Sequence, residues 1–328
     1  MRVSVVVPVY NVADFLDECL RSVLGEADGD VELMCVDDGS TDASGEKLDR
    51  AARQIAPGGC MMKVIHQENA GAGAARNAAL SAATGDWIMF LDGDDVLAKG
   101  WLSLVRAMAS RHPSAEMLGF GRTEALPVEP VVDSFDSYEV DVSQVVGIDV
   151  YERGMWQYAY RRDLIRGLEF ERIIRVDDKL FESMALLRAT RVAVTDIPAY
   201  GYRQREGSIV HTAWTRENFG AELILRITWL RAMTEHGKTM DRRLWRLMGL
   251  RFLEYILRNL LDVSDPALRR ELESRWFDTL RLAGAYGFAS WQRFAMRILG
   301  ATRSRALAWL LCRLPYAAKH LIHFGTLR

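Results

Sequence analysis

From Val3 to Phe120 the chain alternates between two hydrophobic periods. Val3-Ser4-Val5-Val6-Val7 is a β-branched apolar run, the pattern of a strand buried on both faces. Residues 12–24 follow, with Phe15, Leu16, Cys19, Leu20 and Val23 at spacings of three and four, the stripe of an amphipathic helix. The alternation continues: strands are predicted over 31–36, 61–65, 87–91 and 115–120, and helices over 41–55, 71–83 and 101–110. After an irregular, polar, proline-containing stretch over 123–154, read as a long loop or small hairpin, come a strand over 155–160 and a helical turn near Asp163. A helix over 177–188 and a strand over 192–197 complete the pattern.

Strand and helix alternating at this spacing predict an α/β fold, with a mostly parallel sheet and helices on both faces. Ligands of such sheets bind beyond the carboxyl ends of the strands. Beyond Thr215 the pattern is helical, so the chain reads as an α/β domain over 1–214 and a C-terminal helical region over 215–328.

The net charge is −2, but it is unevenly spread. Residues 291–328 hold seven of the 42 basic residues and none of the acidic ones, which leaves 35 basic and 44 acidic residues, a net of −9, in the rest. An acidic body excludes a general nucleic-acid binder. In the tail, Trp291, Phe294, Ile298, Trp309 and Leu310 interleave with arginines. That pattern suits peripheral contact with an anionic inner membrane and equally a helical pair packed on the body or on a second subunit, as in a homodimer. The apolar run at Val3 is short and stopped by Pro8, so no secretory leader is expected, and no apolar stretch is long enough for a membrane span. Cys19, Cys35, Cys60 and Cys312 are scattered, without the spacing of a zinc site, and read as free thiols of a cytoplasmic protein.

Polar motifs fall at the predicted strand ends. Pro8-Val9-Tyr10-Asn11 leaves the first strand; Pro8 is expected to end the pairing and Tyr10 to offer an aromatic face to a base. Asp37-Asp38-Gly39-Ser40-Thr41-Asp42 leaves the second. Ser40 or Thr41 is expected to cap the next helix, Asp37 to be structural and Asp38 to face a nucleoside. In Asn69-Ala70-Gly71-Ala72-Gly73-Ala74-Ala75-Arg76, the arginine among small residues is placed to hold a carboxylate such as Asp38 or to meet the base.

The densest signal is Asp92-Gly93-Asp94-Asp95, directly after an apolar strand. Three carboxylates there repel one another unless a cation joins them, and oxygen ligands suit Mg2+ or Mn2+. The ligand spacing of an EF-hand is absent. Asp94 is the expected metal ligand, with Asp92 assisting and Asp95 structural. Asp177-Asp178 opens a helix, where a bland dipole-favoured cap competes with a general base. Arg203, Arg205, Ser208 and His211 form a plausible phosphate clamp, with His211 also a candidate metal ligand.

Taken in order, VSVVVPVYN, VDDGSTD, NAGAGAARNAAL, GDWIMFLDGDD, MWQYAYRRDL, VDDKLF and YRQREGSIVH resemble the family 2 glycosyltransferases of the GT-A fold, over residues 2–211. The resemblance implies a Rossmann-like nucleotide-diphospho-sugar transferase domain, a nucleotide-sugar donor such as a UDP-sugar, and inversion at the anomeric carbon. It implies Asp38 on the nucleobase, Asp92 and Asp94 as the metal-binding DXD pair, and Asp178 as the base. The donor set it implies is Pro8, Val9, Tyr10, Asn11, Asp38, Asn69, Gly71, Arg76, Asp92, Gly93, Arg203, Arg205, Ser208 and His211. The family usually reads Glu-Asp where this chain has Asp177-Asp178, so Asp177 stays beside Asp178 as a catalytic candidate. The processive QxxRW motif is not evident, which favours single addition to a glycan or lipid-linked acceptor of bacterial surface polysaccharide. A sugar-1-phosphate nucleotidyltransferase and a noncatalytic sugar-nucleotide-binding protein are the alternatives.

Overall fold

The computed structural model describes residues 1–55, 59–128, 135–142, 153–170 and 177–204, with 263, 265–271 and 274 farther on. The chain divides into two compact units, Met1–Ser208 and Ile209–Arg328, and the sheet lies in the first. The helical pattern read over 215–328, including the basic tail, lies almost wholly outside the described residues.

The valine-rich run forms β1, Val3–Val9, at the centre of the parallel half of the sheet. On one side it pairs with β2, Val31–Asp37, and β2 pairs with β3, Met61–His66. On its other side lies β4, Trp87–Phe90. All three pairings are parallel. β1, β2 and β4 are buried along nearly their whole length, as continuous apolar runs require, whereas β3, at the edge, is largely exposed.

The remaining strands are β5, Val96–Leu97; β6, Met117–Thr123; β7, Tyr138–Asp141; β8, Tyr158–Arg161; and β9, Arg191–Gly201. They extend the order to β3-β2-β1-β4-β8-β6-β9-β5, with β7 also on β9. β6 runs parallel to β9, but the β4–β8, β6–β8, β5–β9 and β7–β9 pairings are antiparallel. The mostly parallel reading therefore holds for the first four strands and gives way to a mixed sheet beyond them.

Alternate residues of β1 feed two cores. Val3, Val5, Val7 and Val9 meet Leu16, Cys19, Leu20 and Val23 of α1, Ala13–Leu24, and Trp101, Leu104 and Met108 of α4, Trp101–Arg111. α2, Ser44–Gln54, adds Leu48 to the same face. Val6 faces the other way, toward Ala75 and Ala79 of α3, Ala72–Ala82, and Phe181 and Ala185 of α5, Asp177–Arg188. Each fully buried valine or leucine contributes about 1.5–3 kcal/mol.

Three local expectations are corrected. Pro8 does not end β1: Pro8 pairs with Val36 and Val9 with Asp37. Val9 C=O accepts from Asp38 N–H on the β2 side, and Val6 C=O accepts from Leu91 N–H on the β4 side. Pro8 thus lacks its N–H on the side where pairing with β4 has already ended at Val6 and Phe90. Residues 155–160 are not all strand: Met155–Gln157 is a 3-10 turn closed by Gln157 N–H on Gly154 C=O, and β8 begins at Tyr158. Neither Ser40 nor Thr41 caps α2, which begins at Ser44 with Ala43 before it.

Cys19, Cys35 and Cys60 are free and buried. Among the described residues no helix is long and apolar enough to cross a membrane.

Candidate active site

The loops after β1 and β2 are sewn to each other. Asn11 sits at φ 51 and accepts from Thr41 N–H on Oδ1 at 2.8 Å, while its own N–H donates to Ser40 Oγ at 3.1 Å. Asp42 accepts from Ala13 N–H and Ser44 N–H, and Ser44 Oγ accepts from Val12 N–H. The hydroxyls expected to cap α2 are thus spent fixing the start of α1. Tyr10 is half-exposed beside this junction, whereas Val9 is buried in the core and carries no surface for a ligand.

Asp37 accepts from Ser40 N–H on Oδ1 and pairs with His66 Nδ1 through Oδ2 at 2.9 Å. His66 places its other ring nitrogen 3.1 Å from Asp49, and the two carboxylates raise its pKa above the ordinary value. Asp38 is 2% exposed. Its Oδ1 accepts from Gln67 Nε2 at 2.6 Å and Ala70 N–H at 2.9 Å, and its Oδ2 accepts from Gly71 N–H at 2.8 Å. In place of an open nucleoside contact, the carboxylate here organises the turn from Gln67 to Gly71. That turn crosses so close to Gly39 that a Cβ there would lie 2.9 Å from Asn69 N, and Gly39 also has φ +71. Asn69 and Gly71 remain exposed on this turn.

Arg76 leaves Asp38 alone. From the buried side of α3, its Nη2 donates to Asp92 Oδ1 at 2.8 Å and its Nη1 to Asp177 Oδ2 at 3.2 Å. Its guanidinium lies 5.4 Å from the centre of the Phe170 ring, which stacks on Phe181 of α5. Asn77, the next residue, fixes Phe170 by a reciprocal pair of 2.8 Å hydrogen bonds to its backbone. One arginine thereby joins the acidic turn to the first turn of α5.

Burial pushes the Asp177 carboxyl up to about 6 against the pull of Arg76. It also raises that of Asp178, where Arg76 again opposes it. Asp178 Oδ1 accepts from Lys179 N–H at 2.7 Å. Behind it, Lys179 Nζ bridges Glu182, which is fully buried, and Arg153 C=O at 3.0 Å.

Within the acidic turn, Asp92 and Asp94 are partly exposed and Asp95 is buried. Asp95 Oδ2 accepts from Tyr200 O–H at 2.7 Å and Oδ1 from Arg203 N–H at 2.7 Å. Burial, with the neighbouring Asp92 charge, pushes Asp95 up to about 8. Gly93 passes against β1: a Cβ there would lie 3.1 Å from both Pro8 O and Val12 Cγ2. Arg203, expected on a diphosphate, is held elsewhere. Its Nη2 donates to Glu18 at 2.6 Å, its Nε to Asp94 C=O at 2.9 Å, and its guanidinium lies over Phe15. With a carboxylate on α1 within reach, the arginine braces the turn. Arg205, Ser208 and His211 lie outside the described residues.

Among the described residues, no group of three or more His, Cys, Asp or Glu could hold a metal ion by itself. Asp92 and Asp94 would offer two carboxylates on one turn. That fits an octahedral ion such as Mg2+ or Mn2+, whose other ligands are water and phosphate oxygens. Tyr200, Glu18, Gln67, His66, Asn77 and Phe170 have roles that motif spacing did not reveal. The one usable signal is Tyr200 directly after the apolar Ile197-Pro198-Ala199, since a buried phenol seeks a polar partner.

The uncharacterized glycosyltransferase EpsJ of Bacillus subtilis is 31% identical over 221 residues, covering 63% of this chain and 62% of that protein. The glycosyltransferase GlyA of Streptococcus pneumoniae is 27% identical over 291 residues, 84% of this chain and 40% of its own. The chain thus spans less than two thirds of the length of either relative. A crystal structure of Staphylococcus aureus TarS residues 1–349 in complex with UDP-GlcNAc superimposes with a TM-score of 0.68 at 20% identity, over 97% of this chain and 92% of that one, so the two share a fold. The family model for glycosyl transferase family 2 matches residues 4–124, and in those residues the chain is similar to that family.

Proposed function

We propose that this protein is an inverting glycosyltransferase that moves a sugar from a nucleotide-diphosphate donor, a UDP-sugar, to a hydroxyl of a glycan or lipid-linked acceptor in bacterial surface polysaccharide synthesis. The observation that carries the reading is the bridge by Arg76 from Asp92 to Asp177, which gathers carboxylates far apart in sequence at the carboxyl ends of β1 and β4. Support also comes from a relative's name, poly(ribitol-phosphate) beta-N-acetylglucosaminyltransferase for TarS.

In this reading Tyr10 and the turn at Asn69–Gly71 border the nucleoside, with Asp38 holding that turn in place. Asp92 and Asp94 would hold Mg2+ or Mn2+, which when bound supplies charge neutralisation for the diphosphate. Arg76 fixes the position of Asp92 and adds positive charge where the leaving group develops negative charge. Asp177 is committed to Arg76, which leaves Asp178 as the general base. Asp178 takes the proton of the acceptor hydroxyl as its oxygen bonds to the anomeric carbon. On the opposite side, the bond to the diphosphate oxygen breaks and its electron pair leaves with the nucleoside diphosphate. Displacement from the far side inverts the centre in one step.

The experiment is incubation with UDP-GlcNAc, Mn2+ and a panel of polyol-phosphate and glycan acceptors, followed by detection of UDP. Release of UDP that depends on Mn2+ and on an acceptor is expected. No UDP with any nucleotide sugar tested would reject the reading. For the basic segment 291–328, peripheral membrane contact is retained as part of the proposal; liposome flotation that is unchanged by removing that segment would reject it.

A further inference from the structure

The acidic turn has a support that no motif covers. It lies between β4 and β5, and β5 is only two residues long. Those two residues pair with the end of β9, Val96 with Gly201 and Leu97 with Tyr200. From there the Tyr200 side chain reaches back along the turn. Its hydroxyl accepts from Asp92 N–H at 3.2 Å and donates to Asp95 Oδ2 at 2.7 Å, so one oxygen ties the first residue of the turn to the last. The ring is 1% exposed. Trp156 lies against it with centroids 4.4 Å apart, and Tyr202 stacks on Trp156 at 5.6 Å. A phenol confined in this way has one position for its oxygen.

We propose that Tyr200 is a positioning residue for donor binding: its hydroxyl holds the spacing from Asp92 to Asp95, so that the carboxylates of Asp92 and Asp94 are presented together. This rests on the sugar-transfer reading above. A turn without that crosslink keeps both carboxylates but spends binding energy on bringing them together. Groups that orient metal-binding carboxylates typically change affinity by about 10- to 100-fold when removed.

The test is calorimetric titration of UDP in the presence of Mn2+ into the full chain and into two single-hydroxyl deletions. Tyr200→Phe removes the crosslink. Tyr160→Phe removes an equally buried hydroxyl, one that donates to Met155 C=O at 2.9 Å away from the turn. Tyr200→Phe is expected to raise the Kd for UDP with Mn2+ about tenfold, with a cooperative melt retained, and Tyr160→Phe to leave the Kd unchanged. Equal Kd values for Tyr200→Phe and the unaltered chain overturn the inference. So does an equal loss in both variants, which would mark general loosening, or a Tyr200→Phe chain that no longer melts cooperatively. If the unaltered chain takes up no UDP with Mn2+, the sugar-transfer reading falls first and this inference with it.

Discussion

Arg76 and Asp177 are 101 residues apart in the chain and 3.2 Å apart in space, with the other end of the same guanidinium 2.8 Å from Asp92. A buried ion pair of this kind is costly to break, because the partner left behind keeps its charge in a low-dielectric setting. Arg76→Ala is expected to destabilise the chain by about 3–5 kcal/mol and to abolish transfer. Arg76→Lys keeps the charge but cannot fork toward two carboxylates. It should therefore melt closer to the unaltered protein while turnover stays low. Thermal unfolding and UDP release on the same samples separate the two; normal turnover in Arg76→Lys would show that the bridge is dispensable.

Asp177 and Asp178 should answer differently to the same substitution. Asp178→Asn removes the proposed proton acceptor and is expected to lower kcat about 100- to 10,000-fold with little change in donor binding. Asp177→Asn loosens Arg76 and should show itself more in donor KM. Steady-state kinetics over donor concentration reads the split, and the reverse pattern would transfer the base role to Asp177.

Gly93 has little room for a side chain. The Pro8 carbonyl is backbone and cannot swing aside, so Gly93→Ala must push the turn away from β1. A loss of about 1–3 kcal/mol is expected, read as a lower melting temperature, together with weaker donor binding. A melting temperature equal to that of the unaltered chain would show that the turn has slack.

Glu182 gives the stability a pH dependence. Burial pushes its carboxyl up to about 8 despite Lys179, from an ordinary value of 4.5. Between those values the folded chain holds a proton that the unfolded chain releases, so stability falls as pH rises through the window. Melting temperature should therefore decline from pH 5 to pH 8, and Glu182→Gln should flatten the decline. Part of the slope will remain, because Asp95 and Asp177, pushed up to about 8 and about 6, and His66 contribute with the same sign. The raised pKa of His66 gives stability that is complete below the unfolded value, near 6.5, and is lost as pH rises through the folded one. Identical slopes would mean that Lys179 keeps Glu182 ionised throughout.

The elements themselves were legible from hydrophobic period. α5 runs over 177–188 as its spacing predicts, and β1, β2 and β4 follow from largely apolar runs. Direction of pairing was not: nothing in Met117–Thr123 says that it lies antiparallel to β8 and parallel to β9. At the site, motif spacing named Asp92 and Asp177 but offered Arg76 a carboxylate such as Asp38 or the base, whereas Arg76 joins Asp92 to Asp177. Charge alone offers it several acids, and only the packing of α3 against Phe170 decides among them. For the same reason Ser40 read as a helix cap when its hydroxyl serves Asn11. Local rules choose among neighbours in sequence, and these partners are neighbours only in space.

Pro8 shows how an absent atom can shape a cleft. The β1 and β4 backbones are zipped as far as the bond from Leu91 N–H to Val6 C=O, and the next donor β1 would offer on that side is the one proline lacks. The two strands have no means of closing farther, so they part just where the acidic turn begins. A residue with an N–H at position 8 would offer the turn a rung to grasp and let pairing run past Val6 and Phe90. The proline thus marks where β1 and β4 stop pairing, and the turn that follows meets β1 through the close approach of Gly93 to the Pro8 carbonyl.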